Sequence, residues 1–386
     1  MNIQAAFLED PALRQVLAML EGDGHQGLIV GGAVRNAVLG QPVADIDIST
    51  DAPPQRVIEL AASAGLKSVP TGIDHGTVTV IAAGTPFEIT TFRRDVETDG
   101  RNATVAFSDQ IEEDAARRDF TMNALYATAR GEVLDPVGGW PDLRRRVLRF
   151  VGDPAMRIRE DYLRILRFFR FLACYADHIA PGTIEAIRAE KSGLSRVSAE
   201  RVGAEMCRLL TAPDPGPAMA LMEETGVLAL ILDGAETGAL HRLVIEEQAR
   251  QMRPDWLRRL SLILPQGGAD RLRLSRAEAK RLDALRLAVR LSPLEGGFRH
   301  GAEIARDAAV IRLARGEVLP EDWRQQVRQA ANAPLPITAA DLMAQLRGPA
   351  LGRGLKAAER QWIASEFTAP RAALIDAALK AGEEEI

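Results

Sequence analysis

The sequence has few of the residues from which disulfide frameworks and histidine-built metal centres are made. Its 386 residues include two cysteines, Cys174 and Cys207, which lie far apart and form no CxxC pair. They indicate free thiols rather than a disulfide scaffold or a cysteine zinc site. The five histidines form no HxxxH pair, so we expect any bound metal to be held by carboxylates.

Long apolar runs and an overall basic charge are absent as well. No run approaches the roughly 18–20 apolar residues that cross a bilayer, and Glu9 and Asp10 stand where a signal peptide would have basic residues. We therefore expect a cytoplasmic protein with no membrane partner. The net charge is −5, but residues 144–170 contain nine arginines against three acidic residues, so the basic character that nucleic acid would need is local.

The spacing of apolar residues divides the chain into an α/β part and a helical remainder. Short β-rich runs alternate with helical stretches through residue 150, and residues 77–82 and 87–92 predict a hairpin with a turn at 83–86. From about residue 154 the spacing is helical, and the proline-rich segment 211–217 predicts a boundary. We expect an α+β protein with domains 1–150, 151–212 and 213–386.

Two aspartates in the segment Asp45-Ile46-Asp47-Ile48 are the first candidates for chemistry. The two-residue period of a strand places both carboxylates on one face and both isoleucines on the other, toward a core. Neighbouring carboxylates repel each other, and a shared divalent cation relieves that repulsion; their hard oxygen atoms suit Mg²⁺. The alternative, which this pair alone leaves open, is two solvated residues at the end of a strand.

A glycine pair precedes these aspartates. The run GLIV leads into Gly31-Gly32 and then Ala33-Val34-Arg35, which predicts a strand, a tight turn and the start of a helix. Backbone N–H groups at the start of a helix, with Arg35 one turn in, suit a triphosphate. The alternative is that the glycines serve the turn alone. The dinucleotide fingerprint GxGxxG is absent, which disfavours a dehydrogenase.

A glutamate and a basic helix complete the candidates. Glu88 lies between apolar neighbours on the second hairpin strand, which would aim it toward the aspartates; the alternative is an exposed residue of an edge strand. Between residues 161 and 170, charged residues recur every third position and predict one face of an amphipathic helix. That face is either a solvated surface with internal ion pairs or a surface that hydrogen-bonds a base edge. Its residues are Asp161, Arg164, Arg167 and Arg170.

Five ordered motifs in residues 27–205 resemble the class II nucleotidyltransferases of the polymerase-β superfamily, which include bacterial CCA-adding enzymes and poly(A) polymerases. The resemblance implies a polymerase-β-like head with a small mixed sheet, followed by an all-helical neck, body and tail. The motifs are GGAVRNAVLG followed by DID, RRDFTMNALY (117–126), DPVGGWPDL (135–143), EDYLRILRFFRF (160–171) and SAERVGAE (198–205).

The resemblance also implies roles for individual residues. In the family, the positions of Gly32 and Arg35 contact the triphosphate and that of Arg118 touches the nucleotide. The positions of Asp45 and Asp47 bind Mg²⁺. The resemblance implies that Asp161 and Arg164 read the base of CTP or ATP and that Arg167 and Arg170 are further nucleotide contacts. The helical carboxyl-terminal half is expected to bind tRNA.

The activity that the resemblance implies is template-independent addition of CCA to the 3′ end of tRNA from CTP and ATP. A poly(A) polymerase, a CC-only or A-only enzyme and a non-catalytic tRNA-binding protein are the alternatives. Residues after Asp47 lack the GRRF-type insert that resembles the poly(A) group. Residues 93–107 lie where the family has a flexible loop for the final A, and the alternative is an ordinary surface loop. Asn123 is expected to support the site through hydrogen bonds, and the alternative is a structural polar residue in a buried helix. Asn36 stands where the family more often has aspartate.

Overall fold

A computed structural model describes residues 1–99, 102–264, 266–267 and 269–383 of the chain. The chain divides into two compact units. The first comprises Met1–Leu209 and Leu221–Leu230, and the second comprises Leu210–Ala220 and Ile231–Ile386. The first change of unit along the chain therefore falls beside the proline-rich segment, and the division at residues 150 and 212 stays a prediction.

The described residues of the first unit form short strands. They are β1 (Leu28–Val30), β2 (Asp47–Thr50), β3 (Lys67–Gly72), β4 (Thr77–Ala82), β5 (Thr85–Thr91), β6 (Arg93–Asp99), β7 (Asn102–Phe107), β8 (Tyr126–Ala127), β9 (Val133–Leu134), β10 (Val147–Leu148) and β11 (His178–Ile179). Seven of them form one sheet in the order β3-β4-β5-β2-β1-β8-β9. The pair β2 and β5 is parallel and the other neighbours are antiparallel, so the expected small mixed sheet is confirmed.

The predicted hairpin is present, but its turn is tighter than expected. β4 and β5 pair antiparallel along their whole length. Ala83 and Gly84 both have positive φ, 49° and 83°, which is the backbone geometry of a two-residue type I′ turn. The predicted four-residue turn at 83–86 is therefore wrong: Thr85 and Pro86 belong to β5, because the two-residue turn matches the twist of the flanking strands.

Helices cover the sheet and make up the rest of the chain. After residue 154 the part of the chain that is described is helical apart from the two-residue strand β11, which confirms the helical remainder. No described helix is both long and apolar enough to cross a membrane. The helices are α1 (Pro11–Glu21), α2 (Gly32–Leu39), α3 (Pro54–Ser63), α4 (Ile111–Ala116), α5 (Gly139–Arg144), α6 (Pro154–Glu160), α7 (Leu163–Tyr175), α8 (Thr183–Glu190), α9 (Ala199–Leu210), α10 (Gly216–Glu224), α11 (Val227–Ile231), α12 (Leu240–Ala249), α13 (Trp256–Ile263), α14 (Arg276–Ala288), α15 (Pro293–Ala314), α16 (Trp323–Ala331), α17 (Gly348–Ala364) and α18 (Arg371–Glu383).

Local side chains begin several of these helices. The Asp10 carboxylate accepts from the Ala12 N–H at 2.9 Å at the start of α1. Ser275 and Glu278 form a reciprocal capping box at the start of α14. Each such cap satisfies backbone donors that the helix leaves unpaired and contributes about 1 kcal/mol.

An aromatic cluster in the first unit joins the segment 117–126 to α7. The Phe120 ring lies 4.8 Å from Phe150 and 4.9 Å from Phe171, measured between centroids. Phe150 lies 6.1 Å from Phe168. All four side chains are buried, and each contributes about 1.5–3 kcal/mol by leaving water. The cluster therefore fixes α7 against the sheet region that carries the candidate site.

A buried ion network organises the second unit. Arg258 donates to Glu247 and to Asp307, both at 2.8 Å. Arg259 donates to Glu247 at 2.7 Å and to the carbonyl of Leu210 at 2.7 Å. The four charged side chains are almost completely buried, so removing one partner would leave a charge in the interior without compensation.

Candidate active site

The glycine turn joins β1 to α2. Gly31 has φ 68° and ψ −114° and occupies the N-cap position of α2, a conformation that a residue with a side chain adopts only under strain. A Cβ at Gly31 would lie 3.7 Å from an amino group of Arg118. Because glycine has no capping side chain, the N–H groups of the first turn of α2 stay available to an anionic ligand.

The two aspartates do not both lie on β2. Asp47 is its first residue, whereas Asp45 precedes it, so the prediction of a single strand face is wrong for Asp45. The register explains the short strand: Val30, the last residue of β1, pairs with Asp47, and the chain then turns away at Gly31. Ile48 is buried as predicted, but Ile46 is partly exposed.

Glu88 stands beside Asp47 in the sheet. The two residues are Cα partners of the parallel β2 and β5 pair, both are exposed, and Ile48 and Ile89 beside them are buried. β5 lies between β4 and β2, so Glu88 is not on an edge strand and that alternative is wrong. The sheet therefore brings Glu88 to the same face as Asp47.

The carboxylates raise the local negative charge. Protein atoms around the Asp47 carboxyl desolvate it and raise its pKa, and the charges of Glu88 and Asp45 raise it further, while Arg118 lowers it in part. Across the described residues, no set of three or more histidine, cysteine, aspartate or glutamate side chains is arranged to hold a metal ion. A third-ligand role for Glu88 thus stays a prediction.

Arg118 lies between the glycine turn and the aspartates. Its guanidinium donates to the Asp114 carboxylate at 2.8 Å, to the Tyr126 hydroxyl at 3.0 Å and to the Ser49 hydroxyl at 3.2 Å. These partners hold the charge next to both Gly31 and Asp47. Arg118 is therefore placed where an anionic group bound at the turn would meet it.

Asp114 is a buried carboxylate in α4 that no motif pointed to. It accepts hydrogen bonds from Arg117 at 2.9 Å and from Tyr126 at 2.7 Å as well as from Arg118. Burial opposes its ionisation, but Arg118 and Arg117 outweigh burial and lower its pKa to about 2. The sequence signal that identifies it is an acid three and four residues before two arginines.

Arg35 is buried behind the glycine turn rather than open to solvent. It is 6% exposed, donates to Asn123 and to Asn36, and lies 3.8 Å from the ring centroid of Tyr175. Burial lowers its pKa. A Cβ at Gly32 would lie 3.7 Å from its Nη2, so Arg35 supports the turn from inside, and its contact with a triphosphate stays a prediction.

Two asparagines hold this arrangement. Asn123 accepts from Arg35 and donates to Asp119 at 3.0 Å, which is the kind of hydrogen-bonded support expected of it. Asn36 accepts from Arg35 and donates its Nδ2 proton to the Pro42 carbonyl at 2.8 Å. An ionised aspartate has no proton to donate, so asparagine adds a bond to the segment that leads to Asp45 and Asp47.

The charged face predicted for residues 161–170 is interrupted. Asp161 has φ −152° and ψ 103° and lies in the turn between α6 and α7, so the prediction that it belongs to the helix face is wrong. Its Oδ1 accepts from the Leu163 N–H at 3.1 Å, a local bond that competes with continued helix. Its Oδ2 accepts from Arg201 of α9 at 2.6 Å.

Arg164 pairs with other groups than Asp161. It donates to Glu160 at 2.6 Å and to the Arg117 carbonyl at 2.9 Å. Its Nε–H makes no hydrogen bond within the described part of the chain. A carboxylate offers about four lone-pair positions, so Asp161 also retains acceptor capacity. Both residues can therefore bond a further partner.

Arg167 and Arg170 take part in a buried network. Arg167 donates twice to Asp119, at 2.8 Å and 2.6 Å, and Arg170 donates to Glu205 at 2.6 Å. Burial opposes ionisation of Asp119, but Arg167 and the Asn123 hydrogen bond outweigh it and lower the pKa. The network connects α7 to the glycine turn through Asn123, and nucleotide contacts of the two arginines stay predictions.

The segment 93–107 is a hairpin rather than the expected loop. β6 and β7 pair antiparallel from Arg93 and Phe107 to Asp99 and Asn102. β-branched residues in the segment favour extended backbone, which is the reason that the expectation of a loop is wrong here. Gly100 and Arg101 lie outside the described residues.

Known protein families match two segments of the chain. Residues 28–149 match the family described as the poly A polymerase head domain, and residues 178–237 that described as the probable RNA and SrmB-binding site of polymerase A. The crystal structure of the Bacillus stearothermophilus CCA-adding enzyme in complex with CTP is similar with a TM-score of 0.76 and 29% identity, covering 95% of this chain and 98% of that one. The chain is therefore similar in sequence to the poly A polymerase head domain and in structure to a CCA-adding enzyme.

Curated relatives match a little over half of the chain. The CCA-adding enzyme of Anoxybacillus flavithermus (strain DSM 21510 / WK1) is 40% identical over 223 residues, 56% of this chain and 55% of that protein. The mitochondrial CCA tRNA nucleotidyltransferase 1 of Homo sapiens is 40% identical over 213 residues, 54% of this chain and 49% of that protein. The chain spans about half the length of the curated relatives it matches, and the resemblance seen in the motifs is confirmed.

Several residues that hold the candidate site were missed from the sequence. Asp119 and Glu205 stand inside motifs, but their ion pairs join residues 48 and 35 positions apart. Arg201 likewise bonds Asp161 across 40 positions. Tyr175 carries no signal, because an aromatic residue at the end of an apolar helix is ordinary core.

Proposed function

We propose that this chain adds CCA to the 3′ end of tRNA from CTP and ATP without a nucleic-acid template. The observation that carries the proposal is that the sheet brings Asp47, Glu88 and Arg118 together beside the glycine turn, with Asp45 close enough to act on Asp47. Acidic residues that repel one another next to an anion-binding turn suit metal-dependent transfer to a triphosphate.

The carboxylates present fit Mg²⁺. The pKa of Asp47 is raised by the protein atoms packed around its carboxyl and by the negative charges of Glu88 and Asp45, and a divalent cation would offset those charges. Asp45 and Asp47 would hold two ions, and both offer the hard oxygen ligands that Mg²⁺ prefers. Bound Mg²⁺ supplies Lewis acid chemistry, lowering the pKa of the attacking hydroxyl and stabilising the leaving oxygens.

The chain's own groups bind and orient the reactants. First-turn N–H groups of α2 and the guanidinium of Arg118 bind the triphosphate, since they place donors and positive charge at one point. The 3′-hydroxyl of the RNA attacks the α-phosphate, a new phosphodiester forms, and the bond to the β-phosphate breaks to release pyrophosphate. Arg35 keeps the turn in place through its contacts with Asn123 and Tyr175.

Base selection is proposed to use Asp161 and Arg164. Cytosine and adenine each present an amino donor beside a ring-nitrogen acceptor, so a carboxylate and a guanidinium N–H can bond either base. Both side chains keep unused hydrogen-bonding capacity, as the contacts above show. Arg201 and Glu160 hold the two groups in orientation.

The test is incubation of the full chain with Mg²⁺, labelled CTP or ATP, and a tRNA that ends before CCA. Addition of C, C and A in order supports the proposal. A long A tract would identify a poly(A) polymerase, addition that stops after CC or needs a CC end would identify a partial enzyme, and binding without incorporation would identify a non-catalytic protein. Asp45→Ala is expected to abolish addition, while Asp74→Ala, an exposed acid of the same unit, leaves it unchanged.

A further inference from the structure

A cleft in the second unit is lined by three arginines. It lies between α15 and α16 and has a volume of about 490 Å³. Ala302 and Val327 contribute apolar surface to it, and the arginines surround that surface. These are Arg306 of α15 and Arg324 and Arg328 of α16, here called the cleft arginines.

The cleft arginines carry charge that the protein does not neutralise. Within the described part of the chain, no carboxylate forms an ion pair with Arg306, Arg324 or Arg328. All three side chains are exposed. Glu303 also lines the cleft, but it lies 3.4 Å from Arg281. Asp322, next to the start of α16, accepts from Gln326. The cleft therefore keeps a net positive charge in a chain whose overall charge is −5.

The geometry favours an anion over a flat aromatic ligand. Arg324 and Arg328 are four residues apart and lie on one face of α16. The Arg324 guanidinium lies 5.2 Å from the Trp323 ring centroid, a contact that orients the side chain without removing its charge. Trp323 itself is 6% exposed, so its ring is not open for a base to stack on. Guanidinium groups bind phosphate through two parallel N–H donors.

We propose that the cleft arginines bind backbone phosphates of the tRNA substrate. The inference rests on the proposed function for the identity of the RNA, and on charge complementarity for the contact itself. RNA helices are recognised largely through shape and phosphate contacts, which exposed guanidiniums provide without reading sequence. The cleft adds affinity for RNA and takes no part in nucleotide transfer.

The experiment measures binding of the full chain to tRNA across a series of salt concentrations. The test variant is R306Q/R324Q/R328Q. Its slope of log affinity against log salt is expected to be about 2–3 smaller than that of the unmodified chain, since each phosphate contact contributes about 0.7–0.9. Affinity near physiological salt falls on the order of tenfold or more. Replacing the same three residues with lysine keeps the charge and is expected to restore most of both quantities.

A charge-matched control separates the cleft from general electrostatics. Arg276, Arg290 and Arg360 are also exposed residues of the second unit and form no ion pair in the described structure. Their triple replacement by glutamine changes net charge equally and is expected to leave the salt slope nearly unchanged. Equal losses in both triple variants, or no loss in the cleft variant, would overturn the proposal.

The binding assay also keeps this inference distinct from the proposed function. If no CTP or ATP is incorporated but the cleft variant alone loses salt slope in tRNA binding, the catalytic proposal fails and the cleft proposal stands on the binding data. If it incorporates both nucleotides while the cleft variant has an unchanged KM for tRNA and an unchanged slope, the cleft proposal fails alone. In an active enzyme the cleft variant should also have a raised KM for tRNA with kcat retained, because the lost contact is made equally before and during the reaction.

Discussion

Replacing Asp114 with asparagine is expected to weaken the first unit and to release Arg118 from its position. The substitution keeps the shape of the side chain but removes the charge that Arg117 and Arg118 share. Tyr126 keeps a hydrogen-bond partner if the amide oxygen faces it. The effect should therefore come from the lost ion pairs and not from a cavity.

The magnitude follows from the pKa of Asp114. Its ordinary value of 3.8 is lowered to about 2 in the folded protein, and one pH unit corresponds to about 1.4 kcal/mol, so ionised Asp114 contributes about 2.5 kcal/mol at neutral pH. Because the folded pKa lies below the unfolded one, this contribution is full above about pH 4 and is lost as the pH falls toward 2. With two half-buried arginines left unpaired, the total cost should be about 2–4 kcal/mol.

Hydrogen exchange of peptides within residues 111–127 is a suitable assay, because the chain has two compact units and a single melting curve would mix them. The free energy of opening measured for these peptides should fall by about 2–4 kcal/mol at neutral pH. The difference between the unmodified chain and the variant should narrow as the pH falls from 4 toward 2. Loosened Arg118 should also raise the KM for CTP.

The control is Glu112→Gln on the same helix. Glu112 is an exposed residue of the first turn of α4, and its replacement should change the opening free energy by less than about 0.5 kcal/mol. If Asp114→Asn has an effect as small as this control, or one that does not depend on pH below 4, then the argument that its ion pairs hold Arg118 is refuted.

Three further predictions concern other parts of the chain. Gly193→Ala should destabilise the first unit by about 1–3 kcal/mol, because the new Cβ would lie 2.0 Å from a ring atom of Tyr162. Since Tyr162 is next to Asp161, the choice of nucleotide should also be impaired. Unchanged stability and selectivity would contradict this prediction. Arg164→Ala should blur the choice between CTP and ATP more than it slows addition, as measured by misincorporation, and a uniform loss of rate would argue against base reading. Glu247→Gln should lower the unfolding free energy of the second unit by about 3–5 kcal/mol, since two buried arginines lose their ion-pair partner. The control is Glu246→Gln, at a partly exposed residue of the same helix, which should cost less than about 1 kcal/mol. Equal costs would refute the burial argument.

Short-range patterns predicted those features that depend on a few neighbouring residues. The turn at Gly31 and the helix that follows it could be predicted because a glycine pair between an apolar run and a helical pattern favours a tight turn. The β4 and β5 hairpin and the exposed face that carries Glu88 followed from the two-residue period of a strand. The resemblance to the family was readable for the same reason, since its motifs are contiguous in the sequence.

Predictions from residue spacing were wrong where a competing contact made a strand or a helix begin later than expected. Asp45 was expected on β2, but the strand begins where β1 supplies its last partner, at Asp47. Asp161 was expected on α7, but its carboxylate bonds the Leu163 N–H and the helix starts after it. Neither partner can be inferred from periodicity, because each depends on where a second segment of backbone lies.

The amino-acid sequence by itself determined the class of fold, the glycine turn, the acidic pair and the basic character of α7. The tertiary structure alone decided which acid each arginine meets: Asp119 with Arg167, Glu205 with Arg170, and Asp161 with Arg201. The physical reason is that a buried charge must find an opposite charge within a few ångströms, and which residue supplies it depends on packing between segments that lie 35 to 48 positions apart.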